Sequence, residues 1–99
     1  MQIKMETNHN RSVYINTAAT TVVCPRACVL KRIVVTTTAA GAITVYDHAA
    51  TATGMPTALL KASIVENSYE FDCKMLNGIV VVTAGASFIT VVYEEIQPN

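Results

Sequence analysis

Apolar and polar positions alternate along most of this 99-residue chain, with the two-residue period of half-buried strands. Ser68 to Lys74 is the clearest case. Tyr69, Phe71 and Cys73 fall on one side and Glu70, Asp72 and Lys74 on the other, which predicts one dry and one wet face. Cys28 to Thr37 is the longest such segment. Strict alternation puts Lys31, Ile33 and Val35 on one face and Leu30, Arg32, Val34 and Thr36 on the other. Both faces are apolar past Arg32, as expected of a central strand. Ser12–Ile15 and Thr20–Cys24 flank Asn16–Ala19. Ala42–Tyr46 turns Ile43 and Val45 inward. Ala58–Val65 predicts a strand with Leu60, Ala62 and Ile64 on one side and Lys61 and Ser63 on the other. Ile79–Ala84 and Ser87–Glu94 complete the set.

The punctuation between these runs is that of β-structure. Pro25 removes a ladder donor, Ala39-Ala40-Gly41 predicts a turn, and Asp47–Thr57, with Gly54 and Pro56, predicts the longest loop. Asn77-Gly78 is the strongest hairpin signal, because both residues tolerate positive φ. It predicts a type I′ turn with Leu76 paired to Ile79, and Gly85 predicts a second hairpin. No run of ten or more positions keeps a helical period. The expected fold is therefore an all-β, single-domain antiparallel β-sandwich, Ig-like or jelly-roll-like, of seven to eight strands. Residues 1–10 read as an N-terminal arm or edge strand, with Met1, Ile3 and Met5 alternating against Gln2, Lys4 and Glu6. Residues 11–99 form the sandwich.

Composition adds a surface property. Ala, Val and Thr supply 13 residues each, and charged residues make up only 14% of the chain, against the roughly 25% usual in globular proteins. A surface rich in Thr and Ala costs little to dehydrate. Seven basic residues balance seven acidic ones, and the basic ones are dispersed. That pattern does not fit a phosphate-tracking stripe, so nucleic acid is not an expected partner. No stretch reaches the roughly 18 apolar residues of a spanning helix, and Met1 to Arg11 is polar, so neither a membrane nor an export signal is expected.

The candidate chemistry is sparse. Cys24, Cys28 and Cys73 are an odd set with a three-residue spacer between the first two. That spacing matches neither the redox motif nor a zinc ligand pair, and free thiols in a reducing cytoplasm are expected. His9 and His48 are isolated, and Asp47-His48 reads as a solvated loop rather than half a triad. Glu70 and Asp72 share a strand face, but paired carboxylates need a cleft to do glycosidic chemistry. No catalytic, cofactor or metal site is expected, and the protein reads as no enzyme. The candidate assembly contacts are Ile3, Met5, Tyr14 and Tyr46. The arm could add a strand to a neighbouring subunit, so a homo-oligomer, a trimer or a ring, is expected.

From Leu30 to Tyr93 the order of segments carries a resemblance. Leu30-Lys31-Arg32-Ile33-Val34-Val35 precedes Ile43-Thr44-Val45-Tyr46-Asp47. Tyr69-Glu70-Phe71 then leads to Asn77-Gly78-Ile79-Val80-Val81-Val82 and to Ile89-Thr90-Val91-Val92-Tyr93. This order resembles small β-sandwich proteins encoded among bacteriophage and prophage structural genes. The region before Cys28 departs from it. The resemblance implies a structural protein of the virion, assembled in the bacterial cytoplasm. Its expected role is capsid decoration or cement, or a head-fibre, head–tail or tail component, with other particle proteins as partners. The alternative is a carbohydrate- or receptor-binding sandwich.

Overall fold

A computed structural model describes residues 10–38 and 41–96. Eight strands follow one another: β1 (Asn10–Ile15), β2 (Ala19–Cys24), β3 (Cys28–Thr37), β4 (Ile43–Tyr46), β5 (Pro56–Leu60), β6 (Ser68–Met75), β7 (Ile79–Thr83) and β8 (Phe88–Glu95). They form two four-stranded antiparallel sheets. Sheet A has the order β1-β8-β3-β6 and sheet B the order β2-β7-β4-β5. The fold is thus the all-β sandwich expected from the alternation. The predicted arm, with Ile3 and Met5, lies outside the described residues.

The pairing has a simple rule. First pairs with eighth, second with seventh, third with sixth and fourth with fifth. This is one long antiparallel hairpin rolled up. The added pairings β3·β8 and β4·β7 close the two sheets. Of the two sandwich types expected, this wrapping is the jelly roll. The inner rows meet in one core. Leu30, Ile33, Val35, Ile89 and Val91 from sheet A face Ile43, Val45, Leu60, Ile79 and Val81 from sheet B, all buried. β6 lies at an edge, so Tyr69, Phe71 and Cys73 pack against this core while remaining partly exposed.

Four expectations need correction. Asn77-Gly78 does not close a hairpin. β6 and β7 belong to different sheets, so Leu76 does not pair with Ile79, and the chain turns a corner between layers there. Gly78 has φ 151°, and a methyl group on it would run into the backbone oxygens of Cys24 and His48. Glycine is required here for close approach rather than for a type I′ turn. The second expected hairpin, at Gly85, is likewise a crossing from sheet B to sheet A.

The expected strand Ala58–Val65 stops at Leu60. The chain turns at Ala62–Ser63, where Ser63 adopts φ 58°. The following segment is held by other partners. The Thr38 hydroxyl donates to the Ile64 carbonyl, the Tyr69 hydroxyl donates to the Val65 carbonyl, and Val35 N–H donates to Asn67 O at 2.8 Å.

The phase of β3 also differs from strict alternation. Leu30 and Ile33 are both buried because the register shifts between Leu30 and Arg32 against both neighbours. A bulge at Lys31 flips the faces. Lys31 and Arg32 therefore both reach β6 carboxylates instead of pointing to opposite sides.

The corner at Leu76–Gly78 is fastened by Asp47. Its carboxylate accepts the N–H groups of Leu76 (3.0 Å), Asn77 (2.7 Å) and Gly78 (3.3 Å). Charge-assisted bonds to backbone are among the stronger ones. Asp47→Ala should lower unfolding stability by about 1.5–3 kcal/mol in a denaturant titration. Asp47→Asn, which keeps one acceptor oxygen, should lose less. Equal stability of parent and alanine variant would show that the corner holds without the carboxylate.

Candidate assembly surface

The sorting of charge between the two sheets is the main surface feature. Among the described residues, every charged residue that lies in a strand lies in sheet A: Arg11 on β1, Lys31 and Arg32 on β3, Glu70, Asp72 and Lys74 on β6, and Glu94 and Glu95 on β8. The four strands of sheet B read ATTVVC, ITVY, PTALL and IVVVT. None of them contains Asp, Glu, Lys, Arg or His.

Six of these eight charges form ion pairs, and Arg26, between β2 and β3, joins one of them. Lys31 Nζ lies 2.9 Å from Asp72 Oδ1, and Arg32 Nε lies 3.1 Å from Glu70 Oε2. Arg26 Nη1 lies 2.8 Å from Glu95 Oε2, and Arg11 Nε lies 3.9 Å from Glu95 Oε1. Such exposed pairs contribute little stability, about 0–1 kcal/mol each. They do mark the β6 edge with charge. Asp72 itself sits at φ 50°, opposite the bulge at Lys31.

In sheet B the side chains facing away from the core are Thr20 and Val22 on β2, Val80 and Val82 on β7, Thr44 and Tyr46 on β4, and Leu59 on β5. Val22 faces Val80, which faces Tyr46. Thr20 faces Val82, which faces Thr44, itself beside Leu59. Val80 is fully buried even on this outer side. Val22 is 44% exposed and Leu59 is 61% exposed. The first turn of β2 is fixed to β7 by Thr83. Its hydroxyl donates to Thr17 O at 2.6 Å and accepts the Ala19 N–H at 3.0 Å.

The structure separates the expected contact residues. Tyr46 stands on the outer face of sheet B. Tyr14 is 57% exposed on sheet A, where it faces Thr90. There its ring packs on Phe88 with centroids 5.8 Å apart and planes tilted by 52°. Ile3 and Met5 lie outside the described residues. Sequence reasoning missed Phe88, Val22 and Leu59. A period-2 reading gives their side of a strand, but exposure depends on which strands are central.

The groups that invited a catalytic reading are engaged elsewhere. His48 Nδ1 accepts the N–H of Ala50 (3.1 Å) and of Thr51 (3.2 Å), while Asp47 caps the distant corner. The two residues hold different loops. Glu70 and Asp72 are bound to Arg32 and Lys31. Among the described residues, no three or more His, Cys, Asp or Glu side chains converge as a metal-binding group.

Cys24 and Cys28 are buried at the passage from β2 to β3, and all three cysteines are free. Burial, then a hydrogen bond with Cys24, pushes the Cys28 thiol up to about 12. A thiol is nucleophilic only as thiolate. In the native protein a thiol reagent at mildly alkaline pH should therefore modify half-buried Cys73 first. Cys24 and Cys28 should react only on unfolding. Fast modification of all three in the native state would contradict this packing.

The Lys31–Asp72 pair sets a second expectation. Its hydrogen bond and charge hold the Asp72 carboxyl below the usual carboxylate range and hold the Lys31 ammonium above the usual lysine range. The Asp72 share of stability is present above the ordinary carboxylate pKa and disappears as pH falls through the lowered folded value. The Lys31 share is complete below the ordinary lysine pKa and disappears as pH rises through the raised folded value. Lys31→Met should return the Asp72 titration, followed by carboxyl NMR, to the ordinary carboxylate range. An unmoved titration would mean that the pair does not form in solution.

Comparisons of the chain with protein-family models, with curated protein sequences and with solved structures find no match.

Proposed function

We propose that this chain is a non-enzymatic structural protein of a bacteriophage-type virion, acting through self-association as a capsid decoration or cement protein or as a head–tail or tail component. The observation that carries the self-association is the uncharged sheet B. A face of Thr, Val, Leu and Tyr without a charged residue in its strands can be covered at little desolvation cost. Fully solvated charges would otherwise have to be stripped of water or matched by a partner.

Two further points support the reading. Asp47, His48, Glu70 and Asp72 all serve backbone or ion-pair contacts, which leaves them poor candidates for acid–base work. The jelly-roll wrapping is one that virus capsid domains use, and lectin domains use it too. That is analogy of fold, and folds host many functions. The order of segments from Leu30 to Tyr93 adds the resemblance to phage structural proteins.

One observation favours the alternative, a carbohydrate- or receptor-binding sandwich. The Tyr14–Phe88 pair is exposed on sheet A, and exposed aromatic rings offer apolar area at low entropic cost. Particles purified on a density gradient from the source cells separate the two. Mass spectrometry should find the chain in them at a fixed ratio to the major shell or tube protein. A chain confined to the soluble fraction, with its free subunit binding glycans on an array, would overturn the virion reading in favour of the alternative.

A further inference from the structure

A sheet edge presents unpaired N–H and C=O groups, and proteins guard such edges with charge, proline, bulges or brevity. The described strands leave four edges: β1 and β6 in sheet A, β2 and β5 in sheet B. β1 carries Arg11. β6 carries Glu70, Asp72 and Lys74, with Asp72 in the left-handed region. β5 has five residues and opens with Pro56. β2 has six residues and contains neither charge nor proline. Its one guard is a register shift between Val22 and Cys24, at its far end. Ala19 to Val22 pair in regular register with Thr83 to Val80. That stretch is uncharged, and its start is tied to β7 by Thr83.

We propose that a second copy of this chain pairs with that edge, β2 against β2, antiparallel about a two-fold axis within Ala19–Val22. The two sheets B then run on as one continuous sheet. The inference deepens the self-association reading and rests on it.

The choice of a second copy follows from charge. In a two-fold contact each patch meets itself, so a charge near the axis meets its own like, and opposed like charges across a strand pair are destabilising. On the β6 edge of sheet A, a two-fold axis at Glu70, Asp72 or Lys74 would set that charge against its own copy. Sheet B has no charge in any strand to repel. Antiparallel pairing also meets its own requirement for complementarity, since each strand supplies the donors and acceptors that the other lacks. The exposed Val22 side chain gains cover in the same step.

The test is light scattering on the full chain over a concentration series, with a Thr20→Lys/Val22→Lys double variant. Both side chains point away from the core, so the variant keeps the fold. A control, Ser68→Lys, puts the same charge on the already charged β6 edge. The parent and control should show a dimer mass at high concentration and a monomer mass on dilution, and the double variant a monomer mass throughout. Hydrogen exchange on the parent supplies a measurement free of substitution. Outward-directed amides of Ala19–Val22 should slow at concentrations where the dimer forms.

An oligomer that survives the double variant, with β2 amides equally exchangeable at all concentrations, overturns the β2 contact and leaves self-association standing. The same holds for an oligomer, such as a trimer or ring, that deletion of residues 1–9 dissolves while the β2 lysines do not. A parent that stays monomeric throughout the series overturns both.

Discussion

No strand of this protein could hold its place alone. β4 has four residues, β5 and β7 have five, and β3 has ten. Isolated pairs of such strands are marginal in water. Their stability comes from nesting. The pairing of first with eighth, second with seventh, third with sixth and fourth with fifth makes every antiparallel pair part of the same roll. Rolling it brings the apolar rows of the two layers face to face, about 10 Å apart. Val45 and Val81 on one layer, and Ile33 and Val91 on the other, are all fully excluded from water. The corners at Leu76–Gly78 and at Thr17–Ala19 exist to let the chain pass between layers. That is why their polar fastenings, Asp47 and Thr83, come from strands or loops far away in sequence.

This nesting explains which features of the fold could be read from the chain. Strand positions were legible because alternation is local. β3 was expected at Cys28–Thr37 and is found there. The connections were not legible, because a turn signal does not say which sheet the next strand joins. Asn77-Gly78 carries the residues of a tight hairpin, yet Gly78 is there because the carbonyls of Cys24 and His48 leave no room for a side chain. The bulge at Lys31 was hidden for a related reason. Two adjacent basic residues read as opposite faces until the register shift of β3 against both its neighbours is seen to bring both to Asp72 and Glu70. The excess length given to the fifth strand came from Leu60, Ala62 and Ile64, whose spacing is correct for a strand. The turn at Ser63 and the anchoring of Ile64 and Val65 by Thr38 and Tyr69 override it.

The candidate surface was half legible. Low charge is a property of composition and could be read at once. Its concentration in one layer could not, because strands that share a sheet are far apart in the chain. β2, β7, β4 and β5 become one uncharged surface only through the wrapping. The aromatic pair at Tyr14 and Phe88 has the same origin, since these residues are brought together by the pairing of the first strand with the last.

The wrapping also makes the two layers unequal in what they can do. Sheet A offers paired charges, a guarded β6 edge and one exposed aromatic pair. Sheet B offers uncharged side chains and the unguarded β2 edge. A contact through sheet B would leave the charged layer facing solvent. Tyr14 and Phe88 lie on that outward layer, on the far side of the core from Val22 and Leu59. Subunits joined along β2 would therefore keep the aromatic pair uncovered. Assembly and recognition of a ligand would then compete for none of the same residues, because the first would use the β2 edge of sheet B and the second the outer face of sheet A.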